Sequence, residues 1–230
     1  MHTARLIPAT LAACLALLLA ACSERSPPTA PTAPPPQAAP GPSASSSALA
    51  TEAECQALVR RLPNLRMPLC MQAQLRDSGE RSVKGLPLYT RDLQPESSKL
   101  RVLVLGAIHG DELSSASVAF HWIALARDPV ITTPQPIHWR FVPVLNPDGL
   151  FHQPPRRMNA NGVDLNRNFP TPNWERDAAI YWNERVRKDP RRWPGPKAMS
   201  EPETKFVHAQ MVDFKPDLIV SIHAPYGVLD

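Results

Sequence analysis

Apolar runs of strand length alternate with helical segments in the second half of the chain. Leu100–Ile108, Ile137–Leu145 and Asp217–His223 are predicted strands. The first of them is apolar at both alternating sets of positions, which is typical of a strand buried on both faces of a sheet. Ser114–Ala126 and Ser200–Phe214 are predicted helices. This order indicates an α/β domain with a mixed, mainly parallel central sheet flanked by helices.

Three further patterns complete the predicted elements. Apolar residues recur at spacings of three and four in Glu52–Leu62, which predicts a helix that stops at Pro63. Ser82–Leu93 is interpreted as a pair of strands around a turn that contains Gly85. The helix that starts at Ser200 has a glutamate at its third position, so a capping box is expected there.

The N-terminus has the pattern of an export signal. Arg5 precedes the apolar run Leu6–Ala21, which is too short and too interrupted for a good membrane span. The run ends in Leu-Ala-Ala-Cys, which resembles a bacterial lipobox, so residues 1–22 are interpreted as a lipoprotein signal with lipid attachment at Cys22. An ordinary cleaved signal that contains a cysteine is the alternative. Residues 23–50 are rich in proline, alanine and serine and form a predicted extended linker.

These N-terminal features predict a periplasmic protein held at a membrane by a lipid anchor. Ser23 follows the lipidated cysteine, and by resemblance to other lipoproteins this favours the outer membrane. The formal charge of +4 is mild, and no aromatic residues interleave a basic stripe. A nucleic-acid partner is therefore excluded, whereas an acidic surface or substrate is compatible with the charge.

Cys55 and Cys70 lie in residues 51–81, which are interpreted as an N-terminal extension of the domain. An even pair of cysteines in an exported chain predicts a disulfide, here closing a loop of about 15 residues. Zinc ligation by this pair is the less favoured alternative, because the sequence has no CxxC pair and no histidine near them.

Two of the predicted strands end on a histidine. His109 directly follows the predicted strand Leu100–Ile108 and lies three residues before Glu112, and His223 ends the last predicted strand. A catalytic zinc ion typically has three protein ligands, often two close in sequence and one distant. His109, Glu112 and His223 are therefore candidate metal ligands, with structural histidines at strand ends as the alternative.

A polar loop between these motifs, residues 156–170, is rich in arginine and asparagine. A loop arginine beside a metal can polarise a scissile carbonyl group. Another can bind a substrate carboxylate through a bidentate pair. A solvated basic loop is the alternative for this stretch taken alone.

Taken together, these motifs resemble the zinc carboxypeptidase family of the carboxypeptidase A type. The matching stretches are His109-Gly-Asp-Glu112, Asn146-Pro-Asp-Gly149, Asp164-Leu-Asn-Arg-Asn-Phe169, Ser200-Glu-Pro-Glu-Thr204 and Ser221-Ile-His223. Residues 82–230 are accordingly interpreted as the catalytic domain. Within the family the chain is most similar to the murein peptide amidases. That resemblance implies zinc-dependent hydrolysis of the γ-D-glutamyl–meso-diaminopimelate bond in peptidoglycan peptides.

The resemblance also implies roles for individual residues. One Zn²⁺ ion is expected on His109, Glu112 and His223. Arg157 matches the arginine that polarises the carbonyl group, with Arg156 one position away as the alternative. Asn166 and Arg167 match the pair that binds the free carboxylate of the substrate.

Two departures from the family pattern shape the expectations. The known murein peptide amidases work in the cytoplasm, whereas the lipobox predicts a periplasmic substrate here. The family's general-base glutamate follows the third zinc ligand by several dozen residues, whereas this sequence ends seven residues after His223. Glu201 and Glu203 match a helix start, so the catalytic glutamate is expected to be absent from the chain.

A chain that stops at this point is expected to have an incomplete sheet with an exposed apolar edge and poor stability. A cooperative, high-temperature melt of residues 23–230 would contradict that expectation. Two other functions stay open at this stage. One is a catalytically impaired lipoprotein that binds zinc and cell-wall peptide, and the other is a zinc deacylase of small amides.

Overall fold

The computed structural model describes residues 48–128 and 136–224 of the chain. The predicted signal with Cys22 and nearly all of the predicted linker therefore lie outside the described residues. None of the helices described is both long enough and apolar enough to span a membrane.

A five-stranded mixed sheet forms the centre of the domain. Its strands are β1 (Arg76–Arg81), β2 (Pro87–Leu93), β3 (Leu100–Leu105), β4 (Ile137–Val142) and β5 (Leu218–Ser221). They lie in the order β1-β2-β4-β3-β5. β3 pairs in parallel with both β4 and β5, whereas the pairs β1–β2 and β2–β4 are antiparallel.

The described residues form six α-helices around the sheet. They are α1 (Glu52–Arg61), α2 (Met67–Ala73), α3 (Leu113–Ala126), α4 (Pro147–Phe151), α5 (Trp174–Ile180) and α6 (Pro202–Phe214). A π-helical segment, Tyr181–Arg185, continues α5, and short 3₁₀ turns form at Leu165–Arg167 and Pro190–Arg192. The prediction of an α/β fold with a mixed central sheet flanked by helices is confirmed.

Strand β3 is buried on both faces, as its sequence predicts. Val102 and Val104 pack in one apolar cluster with residues of α1, α2 and α3. Leu103 and Leu105 pack in a second cluster with residues of α6. The side chains of a strand alternate between the two faces of a sheet, so these clusters place helices on both sides of β3. The carboxyl end of β3 is thereby held in the middle of the domain.

The first strand lies earlier than the sequence pattern predicts. The sequence pattern predicts two strands within Ser82–Leu93, but β1 ends at Arg81. Ser82 instead begins the turn by donating its N–H to the carbonyl of Leu86. β1 consists of polar residues and glycine, so it has no apolar alternation that could reveal it. Its pairing is supported by the Ser78 hydroxyl, which donates to the carbonyl of Leu88.

The predicted capping box at the start of α6 is wrong. Glu201, not Ser200, is the N-cap residue, and its side chain makes no capping hydrogen bond. The Ser200 hydroxyl donates to Glu201 Oε1. Glu203 is fully buried and accepts from the backbone N–H of Val83 and from the side-chain amide of Asn159. Hydrogen bonds to these distant residues therefore form in place of the capping box at the start of the helix.

A disulfide joins α1 to α2 through the buried residues Cys55 and Cys70, which are 15 positions apart. We expect reduction of this bond to lower the free energy of unfolding by about 3 kcal/mol, because the open loop regains conformational entropy in the unfolded chain. Urea unfolding with and without a thiol reductant measures the loss. The doubly substituted variant Cys55→Ala/Cys70→Ala should show no response to the reductant, whereas an unchanged wild-type midpoint would contradict the prediction.

Candidate metal centre

The two candidate histidines meet because they follow neighbouring parallel strands. β3 and β5 pair in register up to Leu105 and Ser221, and the N–H of Ile222 then donates to the carbonyl of Leu105 at 2.8 Å. His109 and His223 leave the sheet at this common edge, with ring centroids 4.9 Å apart. Functional sites of open α/β sheets form at this edge.

The carboxylate of Glu112 lies between the two imidazoles. Its Oε1 atom is 2.8 Å from His109 Nδ1, and its Oε2 atom is 2.9 Å from His223 Nδ1. The three ligand atoms lie within 4.8 Å of one another. The structure thus brings the three predicted metal ligands together.

This cluster of His109, Glu112 and His223 fits a zinc ion by its chemistry. His109 Nε2 is 3.1 Å from Asp164 Oδ1, a carboxylate that can accept the Nε2 proton and so leave Nδ1 to bind a metal. A carboxylate that orients a histidine from behind is the usual second partner of a metal-binding imidazole. Two histidines and one glutamate form a ligand set of catalytic zinc sites.

Hydrogen bonds between the ionisable groups of the cluster shift their pKa values. Burial opposes ionisation of Glu112, but hydrogen bonds from His109 and His223 outweigh it and lower its pKa to about 2. Burial likewise disfavours the charged form of His109, yet its hydrogen bonds to Asp164 and Glu112 raise its pKa. The carboxylate of Glu112 is therefore kept ionised among buried groups, as binding of a cation requires.

Arg157, rather than Arg156, contacts this cluster. Its Nη1 atom is 3.1 Å from His109 Nδ1, while Nε and Nη2 donate to Asp164 Oδ2 at 3.0 and 2.9 Å. Arg156 instead donates to the carbonyl of Asn159. The geometry therefore places the guanidinium of Arg157 beside the candidate metal ligands.

Asp164 is a site residue to which the sequence assigned no role. Its side chain is fully buried, and it binds both His109 and Arg157. Burial raises its pKa, but the hydrogen bond from His109 and the charge of Arg157 outweigh this and lower it. Asp164 is the one acidic residue in the polar loop 156–170, and that signal could have identified it as the partner of the cations.

Asn166 and Arg167 follow Asp164 in a 3₁₀ turn and line a neighbouring pocket of about 320 Å³. The guanidinium of Arg167 lies over the ring of Tyr181, 4.8 Å from its centroid. The Trp174 indole N–H donates to the carbonyl of Arg167 at 2.7 Å. The predicted carboxylate-binding pair thus lies next to the candidate metal centre but not in it.

Glu201 and Glu203 hold the polar loop instead of facing the metal ligands. Both accept from the side-chain amide of Asn159, and Glu201 also accepts from that of Asn161. Burial raises the pKa of Glu203. In the described part of the chain, the carboxylates that contact His109 or His223 are those of Glu112 and Asp164.

Gly110, between His109 and Glu112, lies against the backbone of α4. A Cβ atom at this position would come within 2.2 Å of the carbonyl carbon of Gly149. We expect Gly110→Ala to destabilise the fold by at least about 2 kcal/mol, since a backbone neighbour cannot move aside as a side chain can. Thermal unfolding measures this, with Gly162→Ala as the control, because nothing lies within 4 Å of the added Cβ there. Gly162 has a positive φ, so a small loss is expected there too, and equal losses would contradict the prediction.

The chain is similar to a known protein family and to curated members of it. The family model described as zinc carboxypeptidase matches residues 75–229. Murein peptide amidase A of Escherichia coli K12 is 36% identical over 152 residues, which cover 65% of this chain and 59% of that protein. Murein peptide amidase A of Vibrio campbellii is 35% identical over 152 residues, which cover 65% and 58%. The chain thus spans about three fifths of the length of these curated relatives.

A solved structure shows the same fold. Carboxypeptidase A of Helicoverpa armigera superimposes with a TM-score of 0.53 at 22% sequence identity, covering 76% of this chain and 44% of that one. The matched family region begins just before β1, within the segment that the sequence pattern assigned to an N-terminal extension. With two thirds of its residues in the family match, this chain belongs to the zinc carboxypeptidase family.

Proposed function

We propose that this chain acts as a zinc-dependent hydrolase of amide bonds in peptidoglycan peptides, with the γ-D-glutamyl–meso-diaminopimelate bond as its target. The observation that carries the proposal is the convergence of His109, Glu112 and His223 at one edge of the sheet. Two relatives at 35–36% identity are named murein peptide amidase A, and this similarity supports the substrate class.

His109, Glu112 and His223 would hold one zinc ion in this proposal. When bound there, zinc supplies Lewis-acid activation of a water molecule and of the scissile carbonyl group. The buried carboxylate of Asp164 keeps His109 in the tautomer that leaves Nδ1 free for the metal.

Arg157 and the Asn166–Arg167 pair would act on the substrate. Two N–H groups of Arg157, at Nε and Nη2, donate to Asp164. The Nη1 group of Arg157 faces the cluster. A guanidinium fixed in that place stabilises negative charge that develops on a carbonyl oxygen. Asn166 and Arg167, in the adjoining pocket, supply amide and guanidinium groups suited to a free carboxylate.

Amide hydrolysis also needs a group that moves a proton from water to the leaving amine. Among residues 48–128 and 136–224, both carboxylates at the cluster are already bound to histidine or arginine. This observation favours a second candidate function, in which the protein binds zinc and cell-wall peptide without cleaving the peptide.

A single assay separates the two candidate functions. The zinc-loaded protein is incubated with the tripeptide L-Ala-γ-D-Glu-meso-diaminopimelate, and released diaminopimelate is quantified by mass spectrometry. Release that a chelator abolishes and added zinc restores would support the hydrolase. Zinc-dependent binding of the tripeptide without release would support the binding protein. The absence of both binding and release would contradict both proposals.

We further propose that Cys22 carries a lipid that anchors the protein at the periplasmic face of the outer membrane. The lipobox-like Leu-Ala-Ala-Cys sequence and the proline-rich stretch after it support this location. The variant Cys22→Ser should move from the membrane fraction to the soluble fraction. Cys14→Ser, which alters the same N-terminal region, is the matched control and should stay with the membrane.

A further inference from the structure

The pocket beside Arg167 is bounded by one face of α5 and its π-helical continuation. Asp177, Tyr181 and Arg185 are spaced by four residues, and all three line this pocket. Residues four positions apart lie on the same side of a helix. A π-helical segment within a helix frequently marks a functional site.

Arg167 is fixed on the other side of this pocket. Its guanidinium stacks on the Tyr181 ring, and its Nη1 group donates to the carbonyl of Asn166 at 2.9 Å. The Tyr181 hydroxyl is in turn 3.4 Å from Arg192 Nη1. Arg167 lies three positions after Asp164, and its backbone N–H donates to the carbonyl of Asp164 at 2.9 Å. The pocket is therefore close to the candidate metal centre.

The wall of the pocket formed by α5 and its π-helical continuation carries one further positive and one negative side chain. Arg185 is exposed and makes no ion pair with any residue that the structure describes. Asp177 is paired only with its neighbour Arg176 among the described residues, and both side chains are more than half exposed. Such surface pairs contribute little energy and exchange readily. The pocket thus presents two guanidinium groups and one carboxylate to a ligand.

We infer that Asp177 and Arg185 determine specificity by recognising a side chain that ends in both an ammonium and a carboxylate group. In this arrangement Arg167 binds the main-chain carboxylate of the terminal residue, Arg185 binds the distal carboxylate, and Asp177 binds the distal ammonium. The inference rests on the proposed function and adds to it two residues that select the terminal residue. A lysine side chain has no distal carboxylate and so makes no contact with Arg185, which favours diaminopimelate over lysine.

Calorimetric titration of the zinc-loaded full chain with three tripeptides tests this inference. All three begin with L-Ala-γ-D-Glu and end in meso-diaminopimelate, in lysine, or in 2-aminopimelate, which has the distal carboxylate but no distal ammonium. The wild-type protein should bind the first about three- to tenfold more tightly than either of the others, as expected for one charge-assisted contact in an open pocket.

The two variants should lose different preferences. Arg185→Gln should bind the diaminopimelate and lysine peptides equally, and Asp177→Asn should bind the diaminopimelate and 2-aminopimelate peptides equally. Glu184→Gln and Arg187→Gln are controls. Glu184 belongs to the π-helical segment and Arg187 lies two residues after its end, and neither residue lines the pocket. Both variants should keep the wild-type preferences.

The possible failures are distinguishable. If the wild-type protein binds the peptides but Arg185→Gln and Asp177→Asn weaken all three equally or not at all, the inference is wrong and the proposed function stands. If the wild-type protein binds none of the three peptides, the proposed function is wrong and the inference falls with it.

Discussion

His223→Ala should lower the affinity for zinc by more than about 100-fold. Loss of a residue that only hydrogen-bonds to a metal ligand already lowers metal affinity about 10- to 100-fold, and loss of a ligand itself should cost more. His223 supplies one of three ligand atoms, and the remaining pair, His109 and Glu112, would come from a single loop. Its side chain is 26% exposed at the end of β5, so its removal leaves the apolar core intact. Zinc affinity is measured by competition with a chromophoric chelator.

The control for this experiment is His208→Ala. His208 is a partly buried histidine of α6 and does not belong to the His109–Glu112–His223 group. Its removal should leave zinc affinity unchanged, and both variants should keep the wild-type circular dichroism. Equal zinc affinity in His223→Ala and the wild-type protein would show that the metal is bound elsewhere.

Replacing Asp164 with alanine should destabilise the metal-free protein by about 3–5 kcal/mol, which is the usual effect of removing one partner of a buried ion pair. The fully buried carboxylate of Asp164 accepts from His109 and twice from Arg157, whose side chain is only 13% exposed. The imidazole Nε2 of His109 and the guanidinium of Arg157 would both lose this acceptor. The free energy of unfolding in urea measures the effect.

A double-mutant cycle distinguishes loss of this pair from a general packing defect. Removing Arg157 as well should recover part of the stability, because the double variant has no buried guanidinium without a partner. Arg157→Ala/Asp164→Ala should therefore be less destabilised than the sum of the two single variants. Strict additivity would mean that the pair does not stabilise the loop 156–170.

The sequence predicts best those parts of the fold whose stability comes from apolar burial. β3 is buried on both faces, and its dense apolar run reveals it directly. The same strand explains why His109 could be identified, since a parallel strand presents its functional residues at its carboxyl end. β5 reaches the same edge by register with β3, which brings His223 beside Glu112.

Parts that depend on polar tertiary partners could not be predicted in this way. β1 is a polar strand held by β2, so hydropathy alone does not distinguish it from a loop. Ser200 and Glu203 have the spacing of a capping box, but Val83 and Asn159 bind the glutamate from elsewhere in the chain. The spacing of residues along the sequence does not show that distant residues will bind the same glutamate in the folded chain.

The expected stability of the domain stays a prediction. β5 is an outer strand of the described sheet, and its residues Leu218 and Ile219 are 52% and 42% exposed. Exposed apolar residues on an outer strand favour association with other chains. The thermal melt of residues 23–230 tests this expectation.

X-ray absorption spectroscopy at the zinc edge of the purified, zinc-loaded protein tests the central claim most directly. The account predicts one zinc ion per chain, bound by nitrogen and oxygen at about 2.0–2.2 Å, with the scattering pattern of two imidazoles. A sulfur shell at about 2.3 Å, which would indicate ligation by cysteine, would contradict it. So would a protein that retains no zinc after dialysis.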